Sequence, residues 1–212
     1  MKTRTILALG IVGVLAAFPA LAQKPKVKPK PKPTPIPGGA NQVQGLKGKV
    51  GDVLFDGRWR FQVNAIREMP NYPLTVPSSQ QDYGRYNPFA SESGGVYTPK
   101  PGYTLIAVMC KVKNGQKTPQ YLHCYPADLK TALTDTEENS YPPIVYDMQT
   151  DGAWTTKSIL PGSGQTMTVL FAVPPGTIPK DLIFSLKNYD DKRVSNVRVT
   201  LRTVGTLPPP PS

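Results

Sequence analysis

Apolar and polar side chains alternate with a period of two in several short runs of this chain. Trp59, Phe61 and Val63 alternate with Arg60, Gln62 and Asn64, which places the first three on one face of an extended strand. Ile106, Val108, Cys110 and Val112 form a second row, and the intervening Leu105, Ala107 and Met109 are apolar too. A strand apolar on both faces belongs at the centre of a fold. Leu129, Thr131 and Leu133 lead into a polar turn at 135–139, and Val169, Phe171 and Val173 stop at Pro174-Pro175-Gly176. Two more rows follow: Leu182, Phe184 and Leu186, then Val197, Val199 and Leu201. No stretch sustains the 3.6-residue period of a helix, and 25 prolines would interrupt long helices. Short strands separated by proline and glycine turns predict an all-β fold, an antiparallel β-sandwich. It should occupy residues 44–205, long enough for a substantial core, with a proline-rich tail at 206–212.

The start of the chain follows different rules. Lys2 and Arg4 precede an uncharged run from Ile6 to Leu21, and Ala20-Leu21-Ala22 offers small residues at a cleavage site. Residues 1–22 therefore read as a signal peptide, with Gln23 as the new N-terminus and the secreted, periplasmic or cell-envelope space as destination. A spanning helix needs about 20 apolar residues, so the run is marginal as a retained anchor. No cysteine follows it, which argues against a lipoprotein anchor. Residues 23–43 then alternate Lys24, Lys26, Lys28, Lys30 and Lys32 with proline or valine. Such a segment extends as a semi-rigid polyproline-type stalk, ending in the Gly38-Gly39 joint.

The stalk changes the meaning of the +11 charge. Once the signal and stalk cations are set aside, 18 basic residues face 14 acidic ones. A nucleic-acid partner, which needs a basic face interleaved with aromatics, is not expected. The stalk could touch anionic cell-envelope polymers or lipid headgroups, or serve only as a soluble spacer.

Three segments resemble a family of secreted immunoglobulin-like domains of unknown function, related to the immunoprotective extracellular protein. They are Tyr103 to Gly115, a strand ending in Asn-Gly; Leu133-Thr-Asp135 with Tyr141; and Leu160-Pro161-Gly162 followed by Val169-Leu-Phe171-Ala-Val173-Pro174 and Leu182. A weaker match opens at Gly51 to Val63. The resemblance implies an immunoglobulin-like sandwich and transfers no catalytic site, because the matched positions are turn and core residues.

Between the strands ending near Met69 and starting near Tyr103 lies an insertion, 70–102, longer than ordinary connections. Tyr72, Tyr83, Arg85, Tyr86, Phe89 and Tyr97 sit there among Ser, Asn, Gln and Gly. Adaptable binding loops have this composition, and aromatic faces also stack on sugars; the same rings could equally pin the loop onto the sandwich. These six residues are the candidate ligand-binding set.

Cys110 and Cys124 are the only cysteines. In an exported chain an even count suggests a disulfide. A hairpin centred near Lys117 would set the two opposite each other on neighbouring strands. One histidine, His123, is too few for a blue-copper site, and no acidic spacing matches an EF-hand, so no metal or cofactor is expected. No G-x-S-x-G elbow or phosphate loop is present, and no enzyme activity is expected. The sequence thus points to an exported, non-catalytic binding or adhesion module that recognises a glycan or protein through the Tyr-rich loop. The alternative is an envelope-associated accessory domain whose stalk contacts anionic polymers. Its oligomeric state is not legible.

Overall fold

A computed structural model describes residues 42–43, 46–75, 88–124, 130–148, 156–190 and 192–201. The expected signal segment, the five stalk lysines and the proline-rich tail lie outside these residues. The described residues contain strands and turns and no helix, so the fold is the expected all-β, immunoglobulin-like sandwich.

One sheet holds six strands in the order β1 (Gln42–Val43), β3 (Val53–Phe55), β4 (Trp59–Met69), β8 (Thr104–Asn114), β14 (Gly164–Val173) and β12 (Pro143–Asp147). The facing sheet runs β11 (Ser140–Tyr141), β10 (Ala132–Asp135), β15 (Pro179–Asn188), β16 (Val194–Thr200) and β2 (Lys47–Lys49). On its flank β9 (Gln120–His123) pairs with β15 and with β13 (Thr156–Ile159). Gln42 and Val43 pair in parallel with Val53 and Leu54, so the last two residues assigned to the stalk are strand.

Between the sheets the alternating rows meet as predicted. Phe61, Val63, Val108, Val112, Val169 and Phe171 face Leu182, Phe184, Leu186, Val197 and Val199 in one buried cluster. The rings of Phe61 and Phe184 stack with centroids 4.5 Å apart, and Tyr146 meets Phe184 edge-on. Buried aromatics of this size dominate a core. On β4 the register against β8 shifts between Val63 and Ala65. This bulge at Asn64 re-aims the strand, so Ile66 packs toward the core while Met69 packs on the other side of the sheet.

The insertion is itself a sheet. Its strands β5 (Tyr72–Pro73), β7 (Val96–Pro99) and β6 (Ala90–Ser93) lie in that order. Ser93 pairs with Val96 across Gly94-Gly95, both at positive φ (60° and 82°). Two such residues suit the tight hairpin turns whose twist matches their strands. A second buried cluster joins Tyr72, Leu74, Ala90 and Tyr97 to Leu105, Ala107, Leu170 and Ala172 of β8 and β14. The second apolar row of β8 is thus explained: β8 is central in its sheet, and its outer face is covered by a third layer.

Candidate functional site

Tyr72 and Tyr97 are register partners on β5 and β7, and both are buried against the outer face of the six-stranded sheet. The Tyr72 hydroxyl donates to Asp147 Oδ2 at 2.7 Å. Thr75 donates to the same oxygen twice, from its amide at 3.1 Å and its hydroxyl at 2.9 Å. Asp147 ends β12 and is 0% exposed. A buried carboxylate needs such donors, and here they tie the root of the insertion to the six-stranded sheet. Burial pushes the Tyr72 phenol well above its ordinary pKa; the neighbouring Thr168 hydroxyl opposes the shift and Asp147 adds to it. Burial, with Glu92 and Asp147 nearby, pushes Tyr97 up to about 12. The Tyr97 hydroxyl is buried without a hydrogen-bond partner.

Of the six candidate ligand-binding residues, the structure therefore turns two inward. Tyr72 and Tyr97 are core residues with no ring face open to a ligand. Phe89 is half-buried and packs its ring 5.1 Å from that of Tyr103. Tyr83, Arg85 and Tyr86 lie outside the described residues. The described part of the insertion is held by Leu74 N donating to Gly95 O, Lys100 N to Phe89 O, and Gly95 N to Glu92 Oε1. Sequence reading missed Asp147 as the anchor and Gly94-Gly95 as the turn; the glycine pair between two four-residue runs was a usable signal.

The acidic hairpin at 135–141 has a different task. Asp135 Oδ1 accepts the amides of Glu137 and Asn139, and Oδ2 accepts Asn139 Nδ2 and the Tyr141 hydroxyl, at 2.8–3.0 Å. Burial pushes this carboxyl up, but the hydrogen bonds from Asn139, Tyr141 and Glu137 outweigh it and hold the carboxyl below its ordinary value. The Asp135…Tyr141 motif is thus a turn organiser. A cleft of about 220 Å³ lies beside it, lined by Asp135, Glu137, Asn139, Tyr141, Pro174 and Ile178 among others. Among the described residues no three His, Cys, Asp or Glu side chains group to hold a metal.

The expected cysteine hairpin is corrected. Cys110 sits between Val63 of β4 and Met167 of β14, whereas β9, which leads to Cys124, belongs to the facing sheet. The 115–119 connection crosses between sheets because Asn114, buried on β8, bonds outward: its Nδ2 donates to Thr118 O and Ile159 O, and its Oδ1 accepts Gln116 N. Both thiols are free and fully buried in the same core cluster. Burial pushes both up, and Cys124 adds to the shift of Cys110. His123 is buried on β9 with its ring 5.8 Å from that of Tyr189.

No protein-family model and no curated protein matches the chain. Among solved structures it is similar to an uncharacterized β-sandwich protein from Clostridium difficile, at 14% identity over 74% of this chain and 93% of that one, with a TM-score of 0.42. The yjhA protein from Bacillus subtilis is similar at 11% identity over 73% and 99%, TM-score 0.48. A putative lipoprotein from the same species, ycdA, aligns at 14% identity over 68% of this chain and 36% of its own length, TM-score 0.39.

Proposed function

We propose that the protein is an exported, non-catalytic binding or adhesion module of the secreted immunoglobulin-like kind, recognising a glycan or protein through the crest of its insertion. One observation carries this reading. The insertion is a folded layer bolted to the sheet through Tyr72, Thr75 and Asp147, and a site needs a rigid base beneath its contact residues. The crest is the segment 76–87, and the described residues next to it in the chain are Thr75 and Pro88. Tyr83, Arg85, Tyr86 and Phe89 are the contact residues of the proposal.

Replacing residues 76–87 by a short Gly-Ser link tests this. Binding of the variant to isolated native cell envelope should fall at least tenfold with the thermal midpoint unchanged; equal binding by both chains contradicts the reading. The alternative, in which the lysines at 24, 26, 28, 30 and 32 hold the domain to anionic envelope polymers, predicts loss on changing those five to glutamine. Export bears on the thiols too. In an oxidising compartment Cys110 and Cys124 should close as an inter-sheet disulfide, read as a mass shift on reduction.

A further inference from the structure

The half of the six-stranded sheet's outer face that lies beyond the three described strands of the insertion is cationic. Its outward positions are Arg60 and Gln62 on β4, Lys111 and Lys113 on β8, and Thr166 on β14, with Arg67 near the insertion's edge. Arg60 lies opposite Lys113, and Gln62, Lys111 and Thr166 share one row across the three strands. No Asp or Glu takes an outward position on these strands within 60–67, 107–113 or 164–170. Successive lysines on β8 are about 7 Å apart, two residues of extended chain.

Neighbouring glycines shape this array. The Arg60 guanidinium lies 4.6 Å over the Phe55 ring. A Cβ at Gly115 would come within 2.7 Å of Arg60 Nη1 and of Phe55 Cε2. A Cβ at Gly164 would meet Lys113 Cγ at 2.7 Å and Lys111 Cε at 3.4 Å. Glycine in a strand, as at Gly164 at the start of β14, marks a place where something approaches closely. Here what approaches is the cationic side chains, lying across the sheet.

We propose that this face docks an acidic polysaccharide, with Arg60, Lys111 and Lys113 meeting its carboxylates and Thr166 its hydroxyls, while Gln62 is held by its bond to Gly51 O. The site shares no residue with the proposed crest and goes beyond that reading. Charge complementarity selects a polyanion, and the chain's own 23–43 segment, being cationic, cannot be the occupant. Arg60 caps Phe55, so the face lacks the open aromatic platform on which single-stranded nucleic acid stacks. Interfacial lipid binding needs exposed apolar side chains, and the exposed large ones among the described residues (Tyr121, Leu160, Ile178, Tyr189 and Val194) lie on other elements.

The test is calorimetric titration of the full chain with polygalacturonate at low and high salt. Wild type should bind at low salt and lose affinity as salt rises. Lys111→Glu/Lys113→Glu should bind about tenfold more weakly, and Lys111→Gln/Lys113→Gln should move the same way by less, which keeps the test decisive if charge reversal disturbs folding. Glutamine at the five stalk lysines, or the Gly-Ser link at 76–87, should leave most of this affinity in place, so failure of the crest reading is separately visible. Unchanged affinity in both lysine variants overturns the proposal. So does equal binding of neutral dextran, or tighter binding of polyphosphate or phosphatidylglycerol vesicles than of polygalacturonate.

Discussion

Along β8 the outward positions read Leu105, Ala107, Met109, Lys111 and Lys113, and the change from apolar to cationic falls where the three-stranded insertion stops. The neighbouring β14 changes in step, from Ala172 and Leu170 under the insertion to Thr166 and Gly164 beyond it. The ladder of hydrogen bonds is continuous through both halves. What differs is the cover: an apolar row is stable facing outward only where another layer removes it from water. One strand thus records in its side chains where a second domain surface begins.

The largest effect that could break this comparison is a charge under the insertion. Leu170→Asp should cost about 3–5 kcal/mol, the scale of an uncompensated buried charge, measured by urea unfolding. The matching change on the bare half, Lys111→Asp on the neighbouring strand, should fall within about 0.5 kcal/mol, as substitutions at exposed positions do. Equal costs at the two positions would mean that the halves do not differ in cover.

A second pair separates anchor from filler within the insertion. Tyr72→Phe removes a donor from buried Asp147 and should cost about 1–3 kcal/mol. Tyr97→Phe removes a hydroxyl that has no partner, so it should be neutral or stabilising. If the two variants unfold at the same denaturant concentration, the Asp147 anchor carries none of the insertion's stability.

A weaker, pH-dependent effect belongs to the far hairpin and serves as a control. Asp135 is held below its ordinary pKa when folded, so its contribution is fully present above the unfolded carboxyl value. That contribution is lost as pH falls through the lower folded value. Acid titration of Asp135→Asn should show a shallower loss of stability in that window than wild type, whereas Tyr97→Phe should keep the wild-type slope there. The smallest effect is expected for Lys111→Gln/Lys113→Gln, within about 0.5 kcal/mol, since exposed lysines contribute little to folding.

The sandwich was legible because its strands are buried on one face, which writes a period of two into Phe61, Val108, Phe171, Phe184 and Val197. The second apolar row of β8 was also legible, as a sign of centrality, though not as the footprint of an insertion. Tyr72 and Tyr97 were ambiguous because Tyr among Ser, Asn and Gly describes a binding loop and a small packed sheet equally well. Composition carries no burial. Only the Gly94-Gly95 turn distinguished them locally. The cysteine geometry failed for another reason: Asn-Gly reads as a hairpin turn, but the Asn114 amide sends the chain to the facing sheet. The cationic face was hidden because Arg60, Lys111 and Lys113 are separated by some fifty residues and joined only by the β4–β8 register.

The central claim is that the insertion is a folded third layer seated on the outer face of the sheet. Native-state hydrogen exchange on the full chain reads it most directly, at the amides of Leu74, Tyr97 and Lys100. Protection well above that of exposed turns such as Gly176, weakened in Leu170→Ala while β15 and β16 stay protected, is the result this account predicts. Exchange at the rate of unstructured peptide at those amides in the wild-type protein would contradict it.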